Sequence, residues 1–324
     1  MFEYKRFNER SIPFVINTLT LNPAIDRLIF LTDLKKNCTN RIKKTQSVIG
    51  GKGTHVSINL GILGAENRAF GICFGNTGKE IINVLSKSRV EESFIWEDGH
   101  ESRTNYLLIE DTNDCTIIAD KGVTLSSGHL SSLTAQMQQK IQHGEYLVLS
   151  GDASNCSNPM IYNDILNALS DKQLKIFLDT SGDSLAKCVK TSPFLIKPNL
   201  DELSSLCGRD LKSDEEIIEA LFSLDKYNIT VIAVSLGGRG SIVKYGTQVY
   251  KVTPPIVNVK NTIGCGDCYL SGLVYGFQKD KPIEETIRIA TAVSAATAES
   301  EVSVGFDPER AKNLLEKVQI IKLK

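Results

Sequence analysis

Residues 146–182, YLVLSGDASNCSNPMIYNDILNALSDKQLKIFLDTSG, set the fold. An apolar run at 146–149 gives way to a polar, glycine-bearing turn. A helical stretch follows over 159–170, then a second short apolar run at 175–178. Two short apolar runs separated by a helix form a βαβ unit, with parallel strands and a right-handed crossover. The alternation continues downstream with a helix near 183–189, a strand at 194–196, helices at 201–207 and 214–224, and a strand at 230–234. A hairpin-like pair, 241–244 and 248–252, follows Gly237-Gly238, and helices are expected at 268–278, 283–298 and 308–317. Upstream, a β-rich run at 14–21 ends at the turn Asn22-Pro23. Val56, Leu60 and Leu63 share one face of a helix that opens after Gly50-Gly51. A strand at 69–73 and helices at 79–88 and 130–142 complete the set. The whole predicts an α/β fold with a doubly wound, mainly parallel sheet.

Two strand pairs break this alternation. Residues 27–31 and 39–48 flank a polar Lys-Lys-Asn turn, and 105–110 and 115–120 flank Asp-Thr-Asn-Asp. They are expected to form a small sheet standing off the main domain. The first residues, 1–13, read as a short polar extension, leaving 14–324 as one domain with lid strands from about 24–48 and 102–120.

The chain has 324 residues, 41% hydrophobic and 23% charged, the balance of an ordinary globular protein. Lys+Arg number 37 against 38 Asp+Glu, so no broad basic surface for nucleic acid is implied. No run of about 18 apolar residues suggests a membrane span. Eight cysteines are scattered over a long chain rather than clustered as a disulfide framework, which predicts reduced thiols in a cytoplasmic protein.

Four sites carry chemistry, each where a strand hands over to a helix. In Asn261-Thr-Ile-Gly-Cys-Gly-Asp267, Gly264 and Gly266 permit a tight turn whose N–H groups face an anion at a helix N-terminus. Asp267 can cap that helix or take a proton from an attacking hydroxyl. Cys265 and Cys268 have the spacing of a redox or metal pair, but a zinc site needs two further ligands and none stands at ligand spacing. Gly50-Gly-Lys-Gly-Thr54 is a glycine turn with Lys52 at its mouth, fitted either to negative charge or to solvent; it is not a Walker A loop. Asp26 follows a buried strand end, where open α/β sheets bind ligands. In Lys197-Pro-Asn199-Leu-Asp-Glu202, Asn199 and Glu202 also have the spacing of a capping box.

In order, TLTLNPAIDR (18–27), GGKGTHVS (50–57), SRTN (102–105), LDTSG (178–182), KPNLDEL (197–203), VSLGGRGS (234–241) and NTIGCGD (261–267) resemble the ribokinase-like (PfkB) carbohydrate kinases. The likeness is to the branch acting on hexose phosphates, which contains 1-phosphofructokinase and tagatose-6-phosphate kinase. It spans about residues 14–320. The resemblance implies a three-layer αβα kinase domain with a small β-sheet lid, Mg-ATP as phosphate donor, and a ketohexose phosphate as acceptor. Fructose 1-phosphate leads and tagatose 6-phosphate is next. It implies that Asp267 is the catalytic base and that Gly264, Cys265 and Gly266 form an anion hole. Asp26, Gly51, Lys52, His55, Asn105 and Arg103 would bind the substrate, with Arg41 of the lid hairpin a further candidate. Asn199, Ser235, Gly237, Gly238 and Thr262 would bind the nucleotide, with Glu202 holding Mg²⁺ through water. It further implies a homodimer formed through the lid. Two departures stand out: His55 replaces an asparagine common among relatives, and Asp152 brings charge into a run that is usually Gly-Ser-Leu-Pro. Outside this reading stand a free-sugar or nucleoside kinase of the same fold, and a non-catalytic nucleotide or sugar-phosphate sensor.

Overall fold

A computed structural model describes residues 15–112, 114–151 and 153–324, so Asp152 lies outside the described residues. They build two sheets. The larger has ten strands. In spatial order they are β14 (Gln319–Lys322), β13 (Gln248–Thr253), β12 (Ser241–Tyr245), β11 (Val231–Ser235), β10 (Leu195–Ile196), β9 (Lys175–Asp179), β8 (Tyr146–Ser150), β1 (Ile16–Thr20), β4 (Asn67–Phe74) and β5 (Glu91–Glu97). From β5 through β11 every neighbour is parallel, while β12, β13 and β14 are antiparallel additions at one edge. The chain winds outward from β1 in both directions, so the topological switch point lies between β1 and β8.

Both faces of this sheet are buried, and alternate residues of each strand go to different cores. Leu147, Leu149, Leu178, Ile196, Ile232 and Val234 pack on one side. There they meet α3 (Ser127–Lys140), α4 (Ile161–Ala168), α5 (Gly182–Cys188), α6 (Leu200–Cys207) and α7 (Asp214–Ser223). Val148, Phe177, Leu195, Val231 and Ala233 face the other side. There they meet α1 (Lys52–Leu63), α8 (Cys265–Gln278), α9 (Ile283–Ala298) and α10 (Pro308–Leu315). A third cluster seats α2 (Gly75–Ser86), through Ile81 and Leu85, against Ala69, Cys73 and Phe94. The three-layer αβα expectation is what the chain forms.

The smaller sheet has the order β3 (Lys44–Gly50), β2 (Ala24–Phe30), β6 (Arg103–Ile109) and β7 (Cys115–Ile118). β2 pairs antiparallel with β3 and parallel with β6. An Arg27–Glu80 ion pair at 2.7 Å ties it to α2.

Several elements depart from the expected string: α2 begins at Gly75 and α3 at Ser127, four and three residues before their expected starts. β5 and β14 were not anticipated, and α8 begins at Cys265, three residues before the expected start. Gly264, at φ +81°, turns the chain into the helix directly, so Cys265 and Gly266 are its first two residues.

The packing of α8 on α9 leaves no room for a methyl group at Gly272, where a Cβ would stand 2.4 Å from the Ala290 Cα. Helix propensity favours alanine over an interior glycine by about 0.5–1 kcal/mol. The clash outweighs it, since overpacking costs roughly 1–3 kcal/mol. Gly272→Ala is therefore expected to lower the urea midpoint; a raised midpoint would show that the two helices separate without strain.

Candidate active site

The C-terminal ends of the parallel strands and the N-termini of α1, α6 and α8 meet at one edge of the large sheet. At its centre Asp179, the last residue of β9, is 1% exposed. A buried carboxylate needs a partner, and Lys197, just past β10, supplies one at 3.1 Å. Lys52, at the start of α1, approaches the other oxygen at 3.6 Å. The Asp179 charge holds the Lys52 pKa above the usual lysine value against the opposing effect of burial, with Asp267 and Glu202 adding to it. Lys52 thus feels the charge of three carboxylates, touching Asp179, while its side chain stays half-exposed. Ser150 Oγ and Thr180 Oγ1, at the ends of β8 and β9, are buried with no hydrogen-bond partner among the described residues.

α8 enters this edge from Gly264. A Cβ there would lie 1.7 Å from the Ser303 carbonyl oxygen, and the positive φ disfavours any other residue. Cys265 N–H makes a long 3.4 Å bond back to the Thr262 carbonyl. Lys197 Nζ sits 3.6 Å from where a Gly266 Cβ would be, so an ammonium underlies the turn. A helix N-terminus with a lysine beneath it is an anion-binding arrangement.

Asp267 is the third residue of α8 and 6% exposed. Its Oδ2 lies 2.8 Å from His55 Nδ1, and among the described residues no hydrogen bond joins its side chain to its own helix. Oδ1 has no hydrogen bond among the described residues. His55 was expected to face the sugar, but it is 4% exposed and turned inward, with Nε2 2.9 Å from the Ile49 carbonyl oxygen. Both ring nitrogens are engaged within the protein. A histidine one turn into α1 aims at the mouth of α8, where a shorter asparagine would not span the same two partners.

Asp26, in β2, accepts from Asn105 Nδ2 at 2.7 Å. Gly50 is required beneath it, since a Cβ there would stand 2.3 Å from Asp26 Oδ1. Gly51 leads into α1 at φ +101°. Arg103 Nε donates to the Asn22 carbonyl at 3.0 Å, which fixes the guanidinium at the corner between the two sheets. Its two Nη groups have no partner among the described residues. Arg41 is exposed in the loop between β2 and β3, and among the described residues no hydrogen bond or ion pair ties it to the rest.

A cavity of about 490 Å³ opens beside the α8 turn, lined by Ser235, Gly237, Gly238, Thr262, Cys265 and Gly266. Pro254, Ile256 and Val257 supply an apolar wall. Asn199 and Glu202 form the expected capping box, with Glu202 Oε2 accepting from Asn199 N–H at 2.9 Å. A β-bridge joins Asn199 to Ser235 and so to the cavity rim. Asp179 and Lys197 were missed as site residues. Their signal was available, since each ends a short apolar strand within a quoted motif, but nothing in the sequence pairs them.

Burial pushes the Cys265 thiol up to about 11 and raises that of Cys268 as well. Reactive thiols need the opposite shift, and no group of three metal-ligating side chains occurs among the described residues.

Residues 19–309 match the profile of the pfkB family carbohydrate kinases. The 1-phosphofructokinase of Bacillus subtilis is 31% identical over 95% of this chain and all of its own length. The tagatose-6-phosphate kinase of Staphylococcus epidermidis is 28% identical over 95% of this chain and all of its own. Phosphofructokinase-2 of Escherichia coli, solved in complex with potassium, superimposes with a TM-score of 0.88 over 94% of this chain and 99% of its own. At 21% identity that last likeness speaks for the fold.

With a thiol-directed reagent near neutral pH, Cys38, which is exposed, is expected to label first. Cys265, half-buried at the cavity wall, is expected to label more slowly than Cys38, and buried Cys268 only on unfolding. Rapid native labelling of this pair would restore the redox reading.

Proposed function

The chain belongs to the pfkB family of carbohydrate kinases, and on that premise we propose that it moves the γ-phosphate of ATP to a hydroxyl of a ketohexose phosphate. Fructose 1-phosphate, giving fructose 1,6-bisphosphate, is the leading acceptor. Tagatose 6-phosphate is the second, on the strength of the staphylococcal relative. The observation that carries the reading is the free Oδ1 of buried Asp267 at the mouth of an anion-binding helix turn, beside a cavity of nucleotide size.

In this reading Asp267 Oδ1 takes the proton of the acceptor hydroxyl, and the N–H groups of Gly264, Cys265 and Gly266 steady the phosphoryl group in flight. Lys52 and Lys197 offset the charge that develops there. Asp26, oriented by Asn105, accepts from sugar hydroxyls, with Gly51 lining the same loop. Arg103 offers two unspent Nη groups, the fork suited to a phosphate. The lid brings Arg41 in from outside when it closes. The nucleotide lies in the cavity at Ser235, Gly237, Gly238 and Thr262. Asn199 would lie on the nucleotide side, and Glu202 supplies a hard oxygen suited to Mg²⁺ held through water; the ion would neutralise the β- and γ-phosphates. Tyr106 and its cross-strand partner Ile118 are exposed on the same face of β6 and β7, an apolar pair that supports a homodimer through the lid. The enzyme is assigned to the cytoplasm, the compartment that holds its phosphate donor, and no helix among the described residues is long and apolar enough to cross a membrane.

The test is coupled ADP release across fructose 1-phosphate, fructose 6-phosphate, tagatose 6-phosphate, fructose, ribose and adenosine, for the wild type and Arg103→Ala. Turnover on a phosphorylated ketohexose is expected. Arg103→Ala is expected to raise its KM about 10- to 100-fold, since a hydrogen bond to a charged group contributes roughly 1.5–3 kcal/mol. An equal effect on unphosphorylated sugars would remove Arg103 from phosphate binding.

A further inference from the structure

His55 is buried against the carboxylate proposed as the base. Its Nε2 lies 2.9 Å from a backbone carbonyl oxygen, which only accepts, so Nε2 carries a hydrogen. Its Nδ1 lies 2.8 Å from Asp267 Oδ2, and an ionised carboxylate also only accepts. The contact therefore needs one proton between them. Either an imidazolium faces a carboxylate, or a neutral ring faces a carboxylic acid. With no proton there, two lone pairs would oppose each other in a buried site.

The charged groups around the ring favour the first form. Asp267 faces it from α8 and Asp26 from β2, while β3 offers only the Ile49 carbonyl. Lys52, on the same helix, is drawn to Asp179. Burial works against the imidazolium. The hydrogen bond and charge of Asp267, and then the charge of Asp26, outweigh it, so the His55 pKa is raised above its ordinary 6.5.

We propose that His55 is a positioning residue for the base: it holds Oδ2 of Asp267 through a shared proton and presents Oδ1, ionised, to the acceptor hydroxyl. The inference rests on Asp267 acting as the base. In the transfer, the acceptor O–H breaks and its proton goes to Oδ1. The new oxygen–phosphorus bond forms as the bond from the γ-phosphorus to the β–γ bridging oxygen breaks, leaving its electron pair on ADP. His55 keeps its proton throughout and offsets negative charge that Asp26, Asp267 and the phosphates bring together. An asparagine at this position would bring no titrating proton, so the pH dependence belongs to this chain's own substitution.

The sign follows from the raised pKa. The shared proton is present below it and is lost as pH rises through it, so kcat falls on the alkaline side. The experiment measures kcat and KM from about pH 6 to 10 for the wild type, His55→Asn and His55→Leu, spanning the ordinary histidine range and above. The wild type is expected to show an alkaline limb with an apparent pKa above about 6.5. His55→Asn, which keeps a donor without the charge, is expected to lose that limb and about tenfold in kcat. His55→Leu, with no donor, is expected to lose roughly 100-fold in kcat with little change in KM, the scale of a misplaced general base. A His55→Asn profile superimposable on the wild type would overturn the proposal. Nitrogen NMR of the ring gives a readout independent of activity. Both nitrogens are expected to be protonated at the acid end of that range, with a titration above the ordinary histidine value that moves to lower pH in Asp267→Asn. A ring that titrates at or below the ordinary histidine value sinks the dyad. Absence of wild-type turnover on every sugar phosphate would instead count against the kinase reading, and the NMR titration would still decide the pairing.

Discussion

The large sheet is buried on both faces, and its parallel strands must all run the same way for the helices to cover them. That constraint places everything else. Because β1, β8, β9, β10 and β11 share one direction, their C-terminal ends lie along one edge, and the helices that follow begin there. Helix N-termini bring partial positive charge and unpaired N–H groups to the same place. The residues that end the strands, Ser150, Asp179 and Ser235, with Lys197 just beyond β10, then face a common space although they lie far apart in the chain.

Within that space the buried charges are matched rather than left alone. Asp179 lies between Lys197 and Lys52, Asp267 meets His55, and Asp26 is held by Asn105. An unmatched ion there would cost several kcal/mol. What the matching leaves over defines the chemistry: one oxygen of Asp267, two nitrogens of Arg103, and the turn at Gly264 with an ammonium below it. These unspent groups are an acceptor for a proton and donors for phosphates, in an arrangement suited to phosphoryl transfer.

Much of this was legible in the sequence. Apolar runs of β length alternating with helices gave the sheet, and the ordered glycine and aspartate motifs gave the kinase family. The strands that escaped, β5 and β14, are the two edges of the sheet, and their EESFIWE and QIIK carry the charge and polarity of edge strands. The early start of α8 escaped because glycine is a poor helix former, yet Gly266 sits inside the first turn. The pairing of His55 with Asp267 was out of reach, since 212 residues separate them and no local pattern joins them. The Asp179–Lys197 pair escaped for the same reason: each looked like the end of its own strand.

We propose that the acceptor gives up its proton at the mouth of α8. Single-turnover phosphoryl transfer by Asp267→Asn, with ATP affinity measured on the same preparation, tests it most directly. A fall in the transfer rate of about 1000-fold or more, at the upper range of a lost general base, is expected with ATP binding retained. Transfer within about tenfold of the wild type would contradict it.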